Sequence, residues 1–197
     1  MEHVHEHAEL IADRFTLRPY FRTDSFEELW KLAQEFPANH FDDASPKTLA
    51  SFQKEMVRRL RCGEGVWRVT DADGHFAGAI GFAPYNELAC MFHGITFRQD
   101  LHGTGVCAAI VRRFLADRMT DNRCARLPVY ACYYSHNRRI ARFLKKLGFE
   151  PAWDLNEHAT QNGVPVRIKL VYCSFVKSEH TSGYATADAL PETPPRG

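Results

Sequence analysis

The stretch FRQDLHGTGVCAAIVRRFL, residues 97–115, decides how the chain is read. It sets a glycine-rich turn between an apolar run and an amphipathic helix. Gly103 and Gly105 flank Thr104, so the backbone there can approach a bulky anion closely. A helix opening at residues 104–106 points free N–H groups and the positive end of its dipole at that anion. A pyrophosphate fits such a cradle. The dinucleotide fingerprint of three glycines is met with Ala108 in the last position, and the Gly-Lys-Ser/Thr ending of a P-loop is absent. Ile110, Val111, Phe114 and Leu115 mark the buried face of the helix, a register that keeps Arg112 and Arg113 off it.

Working outward, residues 88–97 (LACMFHGITF) form a near-continuous apolar run, as expected of a central strand buried on both faces. Before it, residues 66–70 and 75–82, joined by the turn residues DADG, read as a hairpin. Residues 14–21 (RFTLRPYF) alternate as a first strand, with Pro19 placing it near an edge or an end. Two helices lie between. The first starts at Asp24, with Glu27 completing a capping-box-like signal, and stops at Pro37. The second takes Ser45 as N-cap and Pro46 as its first residue, buries Leu49, Phe52, Met56, Val57 and Leu60, and ends at Gly63. Residues 37–45 (PANHFDDAS) read as the loop joining them.

Downstream, residues 125–134 form a strand, residues 137–149 (NRRIARFLKKLGF) a helix, and a last hairpin turns at residues 161–163 (QNG). This order predicts a mixed α+β fold, with a central mixed, mostly antiparallel sheet of about seven strands flanked by four helices. The expected boundaries are a flexible N-terminus over residues 1–12, one domain over 13–177 and a disordered tail over 178–197, where Ser, Thr, Ala and Pro show no periodicity.

A chain of 197 residues suits one well-buried domain. Its 25 Lys/Arg against 24 Asp/Glu leave a net charge of +1, which argues against coating a nucleic acid or a membrane surface. No apolar run is long enough to span a bilayer, and MEHVHEHAEL has no apolar signal core, so a cytoplasmic protein is expected. The six cysteines are scattered without a CxxC pair, so they read as small buried hydrophobes, and no metal site is expected.

The glycine loop and the helix at residues 137–149 resemble motifs A and B of the GCN5-related N-acetyltransferases, the GNAT superfamily. The family's motif A runs roughly V-x-P-E-Y-R/Q-G-x-G-I-G/A into a helix with paired apolar residues. In this frame His102 takes the Arg/Gln position and Cys107 the last glycine or alanine. Motif B, N-x-x-A-I-x-L-Y-E-K-L-G-F, begins here at Asn137, 30 residues after Cys107, and KKLGF is nearly literal. The resemblance covers residues 14–175 and is strongest in these two motifs.

The resemblance implies a single GNAT-like domain that binds acetyl-CoA and an amine acceptor, with a homodimer left open. It assigns the pyrophosphate cradle to His102, Gly103, Thr104, Gly105, Val106 and Cys107. It assigns the pantetheine contacts to Ile95, Thr96 and Phe97, which would pair with that arm as a strand does, and to Asn137. The implied reaction is direct attack of a primary amine, from a protein lysine, an N-terminus or a small molecule, on the thioester. Glu87 and His93 are the candidate bases, and His93 reads equally well as a core histidine. Leu144 stands where the family places its tyrosine acid. Tyr134, with Tyr133 or Ser135 beside it, is the candidate substitute, against a reading as plain strand packing. Arg138, Arg139, Arg142, Lys145 and Lys146 read mostly as a solvated helix face. Asp42, Asp43 and Glu157 either attract a cationic amine or are solvated loop carboxylates. The alternative function is a non-catalytic acyl-CoA-binding GNAT-fold module used for regulation or interaction.

Overall fold

The computed structural model describes residues 11–86, 88–119 and 127–173. The expected tail at 178–197 and residues 1–10 of the expected flexible N-terminus lie outside these, as does Glu87. Seven strands form one sheet in the order β1-β2-β3-β4-β5-β7-β6. They are β1 (Thr16–Pro19), β2 (Gly65–Thr70), β3 (Phe76–Asn86), β4 (Ala89–Phe97), β5 (Val129–Tyr134), β6 (Glu150–Gln161) and β7 (Val164–Cys173). Every neighbouring pair is antiparallel except β4 and β5. The helices are α1 (Glu27–Gln34), α2 (Pro37–His40), α3 (Leu49–Arg61), α4 (Val106–Met119) and α5 (Arg138–Lys146). The mixed, mostly antiparallel sheet is the one the sequence predicts, with the single turn α2 added to the four expected helices. Among the described residues no helix is long and apolar enough to cross a membrane.

Each face of the sheet carries its own apolar cluster. Ile80 belongs to one and its neighbour Ala79 to the other, as the period of two along a strand requires. On one side α4 supplies Ile110, Val111, Phe114 and Leu115, all at most 2% exposed, in the register read from the sequence. The rings of Trp67 and Phe82 meet Phe114 at 4.9 and 5.5 Å, and Phe92 joins Phe82 at 5.3 Å, so edge-to-face packing fixes α4 over β2, β3 and β4. On the other side Phe26 and Leu29 of the α1 region pack with Phe52 and Met56 of α3.

Two helix starts differ from the sequence reading, each because a polar side chain bonds a residue just upstream and not the amides of the helix ahead. The Asp24 carboxylate does not cap α1: it accepts from the Phe21 amide at 2.8 Å and from Arg18 at 2.7 Å. The N-cap is Phe26, whose amide is satisfied by Gln53 of α3 at 3.0 Å. Ser45 bonds Asp42 instead of capping α3, and Thr48 takes that role in a reciprocal box with Ser51.

Two features of β4 shape the site. In its pairing with β3, Gly94 faces Gly81 but Phe92 faces Phe82, so His93 is an extra residue in a β-bulge. The parallel pairing of β4 with β5 covers Cys90, Met91 and Phe92 against Val129, Tyr130 and Ala131, and then stops. Beyond it β4 stays with β3 to Phe97, and β5 stays with β7 to Tyr134. The two strands separate into a wedge.

Truncating Phe114 removes the ring on which Trp67, Phe82 and Phe92 converge. Phe114→Ala is expected to lower the unfolding free energy by about 3–5 kcal/mol, measured by urea denaturation.

Candidate active site

The wedge opens into a cleft of about 700 Å³ between the far halves of β4 and β5, with the glycine loop at one end. Ile95, Thr96 and Phe97 line one wall, and Cys132, Tyr133 and Tyr134 the other. Backbone polar groups need partners, so strand edges that part in this way suit an extended ligand that hydrogen-bonds as a strand does.

The glycine loop is braced from within. Thr104 Oγ1 donates to Leu101 O at 2.8 Å, Cys107 Sγ donates to the same carbonyl at 3.3 Å, and Thr104 Oγ1 receives the Val106 amide at 3.2 Å. Gly103 and Gly105 have φ of 81° and 88°, the left-handed region that side chains rarely adopt. The amides of Gly103, Thr104, Gly105 and Cys107 donate to no acceptor among the described residues. Successive free amides at the start of a helix make an anion nest. Burial pushes the Cys107 thiol up to about 12, so it stays a neutral hydrogen-bond donor within the loop.

His102 ties this loop across the cleft. Its Nδ1 lies 3.2 Å from an Arg139 nitrogen and its Nε2 2.9 Å from Phe97 O. Arginine can only donate, so Nδ1 is the acceptor and Nε2–H donates to the carbonyl, which fixes one neutral tautomer. The Arg139 guanidinium also lies 5.5 Å over the Phe36 ring. Arg139, Arg142 and Lys146 line the cleft, so three of the five cations read as a wet helix face stand at its wall. Asn137 lines it too, while its Oδ1 caps α5 by accepting from the Ile140 amide at 3.1 Å.

The opposite wall is rich in neutral imidazole. His93, at the bulge, has Nδ1 4.0 Å from Glu64 Oε2, and its Nε2 is buried without a partner among the described residues. Burial holds its pKa below the usual histidine value, Glu64 works against that and Arg59 with it. His40, on α2, bonds Thr96 Oγ1 at 2.8 Å, and burial pushes it down to about 4. The Tyr134 hydroxyl donates to Asp42 at 3.4 Å, its ring stacks on His136, and burial followed by the Asp42 charge pushes it up to about 12. Leu144 is 2% exposed and offers no proton at its position in the cleft.

The carboxylates read as acceptor attractants have other partners. Asp42 is held by Ser45 and Tyr134. Asp43 accepts from the amides of Asn162 and Gly163 at 2.8 and 2.9 Å, which latches the loop after α2 to the β6–β7 turn. Gln161 strengthens that latch through the carbonyls of Ala38 and Phe41. The Glu157 side chain lies outside the described residues. The sequence reading gave no site role to His40 or Glu64, which stand in no periodic pattern or motif, nor to Phe36, which continues the helical spacing of Phe26, Leu29, Trp30 and Ala33 and so reads as core.

The acetyltransferase (GNAT) domain model matches residues 14–150. The chain belongs to the GNAT acetyltransferase family. No curated sequence matches it. Among solved structures, spermidine N-acetyltransferase from Vibrio cholerae in complex with CoA and spermine is similar at 18% identity and a TM-score of 0.67, over 82% of this chain and 96% of that one. A dodecameric structure of spermidine N-acetyltransferase from the same organism, in an intermediate state, is similar at 18% identity and a TM-score of 0.66, over 87% and 99% of the two chains. This chain is an N-acetyltransferase by family. A side chain at Gly103 meets nothing within 4 Å, so substitution there costs backbone strain and obstructs the anion nest without breaking the core. Gly103→Trp is expected to raise the apparent acetyl-CoA constant at least roughly tenfold while thermal unfolding stays cooperative, measured by steady-state kinetics and calorimetry.

Proposed function

We propose that this protein transfers the acetyl group of acetyl-CoA to a small primary amine by direct attack, with His93 as base. The observation that carries the reading is the parallel β4–β5 pair that parts after three residue pairs, with a nest of free amides at the end of the resulting wedge. The nest over residues 102–107 suits the pyrophosphate. The edge at Ile95, Thr96 and Phe97 suits the pantetheine amides, and Asn137 borders the same groove. Acetyl-CoA supplies an activated thioester carbon. The chain's own part is to seat that carbon, exclude water and manage protons.

An acceptor amine arrives protonated near neutral pH. The His93 Nε2 has no partner among the described residues, and burial lowers the ring's pKa, which favours the neutral imidazole. It takes the amine's proton before the C–N bond forms. A thiolate is a fair leaving group without an acid. Tyr134, whose raised pKa holds its proton, is the cleft hydroxyl proposed to return one, directly or through water. Spermidine is the first acceptor to test, because the similar solved structures are spermidine N-acetyltransferases. Monoamines and peptide N-termini form the comparison set, since among the described residues the cleft wall carries no carboxylate to hold a second ammonium.

Thiol release from acetyl-CoA with this panel tests the proposal. Turnover with at least one amine supports it, and saturable CoA binding without turnover on any of them would favour a non-catalytic module. His93→Ala is expected to reduce turnover by roughly 10²-fold or more below about pH 8 and less above it, where the amine needs less help.

A further inference from the structure

The His93 imidazole faces a charged group that lies outside the cleft. Glu64 sits in the short link between α3 and β2, where its amide bonds Arg59 O at 3.1 Å. Its Oε2 lies 3.9 Å from the Arg59 guanidinium and 4.0 Å from His93 Nδ1. Glu64 does not line the cleft, whereas His93 does. The two imidazole nitrogens therefore have different surroundings: Nδ1 faces a carboxylate, and Nε2 is buried with no partner among the described residues. An unsatisfied buried nitrogen is costly, and it is the kind of feature a protein keeps at a working atom. The β-bulge is what delivers this arrangement. With one extra residue in β4, the His93 side chain is set beside Gly81, where a methyl group would already touch its Cβ at 3.3 Å.

We propose that Glu64 is the positioning residue of the reaction: its carboxylate, facing Nδ1 of His93, favours the tautomer protonated there and leaves the Nε2 lone pair to receive the proton of the acceptor ammonium. The inference rests on the reading of His93 as base. The charged groups acting on His93 are Glu64 and Arg59. Their effects oppose each other, and the Arg59 guanidinium stands 3.9 Å from the Glu64 carboxylate on its other side. When Nε2 takes the proton, the new imidazolium lies against the Glu64 charge. The freed amine forms the C–N bond as the C–S bond breaks. The electron pair leaves on sulfur, which is protonated through Tyr134 as that hydroxyl recovers the second amine proton, and His93 releases its own proton to solvent. The balance is one ammonium and one thioester consumed, with one amide, one thiol and one proton formed.

The test compares Glu64→Gln and Glu64→Asp with the unsubstituted protein by NMR titration of the His93 ring, its signal assigned by its loss in His93→Ala. The pH profile of kcat/KM is recorded in parallel. A carboxylate stabilises imidazolium, so removing it lowers the histidine pKa. Glu64→Gln is expected to move the His93 titration and the acid limb of the profile to lower pH together. It should also lower the plateau kcat by roughly tenfold and leave KM for acetyl-CoA unchanged. Glu64→Asp, which keeps the charge, is expected to restore much of the titration. A His93 titration identical in Glu64→Gln overturns the proposal, as does a shifted titration with an unmoved acid limb. If no amine is turned over by the unsubstituted protein, the proposed function fails, and the NMR arm still decides whether the pair exists.

Discussion

The structure depends on one constraint, the parallel pairing of β4 with β5 that ends after Phe92 and Ala131. Both strands are committed elsewhere, β4 to β3 through Phe97 and β5 to β7 through Tyr134, so neither can follow the other past that point. The bulge at His93 reinforces the parting, because an extra residue bends its strand and increases the local twist. Backbone groups left along such edges favour a ligand that behaves as a strand. The packing of Phe114 against Trp67 and Phe82 holds α4 in the orientation that aims its first amides at the end of this gap.

Charge is arranged along the cleft to match. At the loop end stand free amides, Arg139, Arg142 and Lys146, all suited to phosphate. Toward α2 and the bulge the titratable groups are His40 and His93, both held below the usual histidine value by burial. A polycationic wall there would repel an ammonium, whereas neutral imidazole can accept its proton. The latch of Asp43 and Gln161 onto the β6–β7 turn closes this side by tying the loop after α2 to the far edge of the sheet.

Much of this was legible in the sequence where local pattern and global fold agree. The stripe of Ile110, Val111, Phe114 and Leu115 fixed the register of α4, and with it the positions of Gly103 and Gly105 at the helix entrance. The Leu-Gly-Phe ending of α5 likewise marked its stop, with Gly148 at a φ of 89°. The misread helix starts at Asp24 and Ser45 share one cause: a capping side chain looks the same in sequence whether it bonds its own helix or a neighbour. The bulge was illegible because it is a mismatch between two strands and belongs to neither alone. Hence His93 could be named as a candidate, while its neighbour Glu64, 29 residues earlier, could not. The same holds for His40, which reaches Thr96 only because residues 37–40 fold into a turn where a loop was expected.

Amide hydrogen exchange with and without CoA tests the central claim most directly, since it reads the wedge and the nest in one measurement. The account predicts that saturating CoA slows exchange at two separate segments, residues 95–97 of β4 and residues 103–107 of the glycine loop, with β1 and β2 unchanged. Saturable CoA binding that protects neither segment would contradict it.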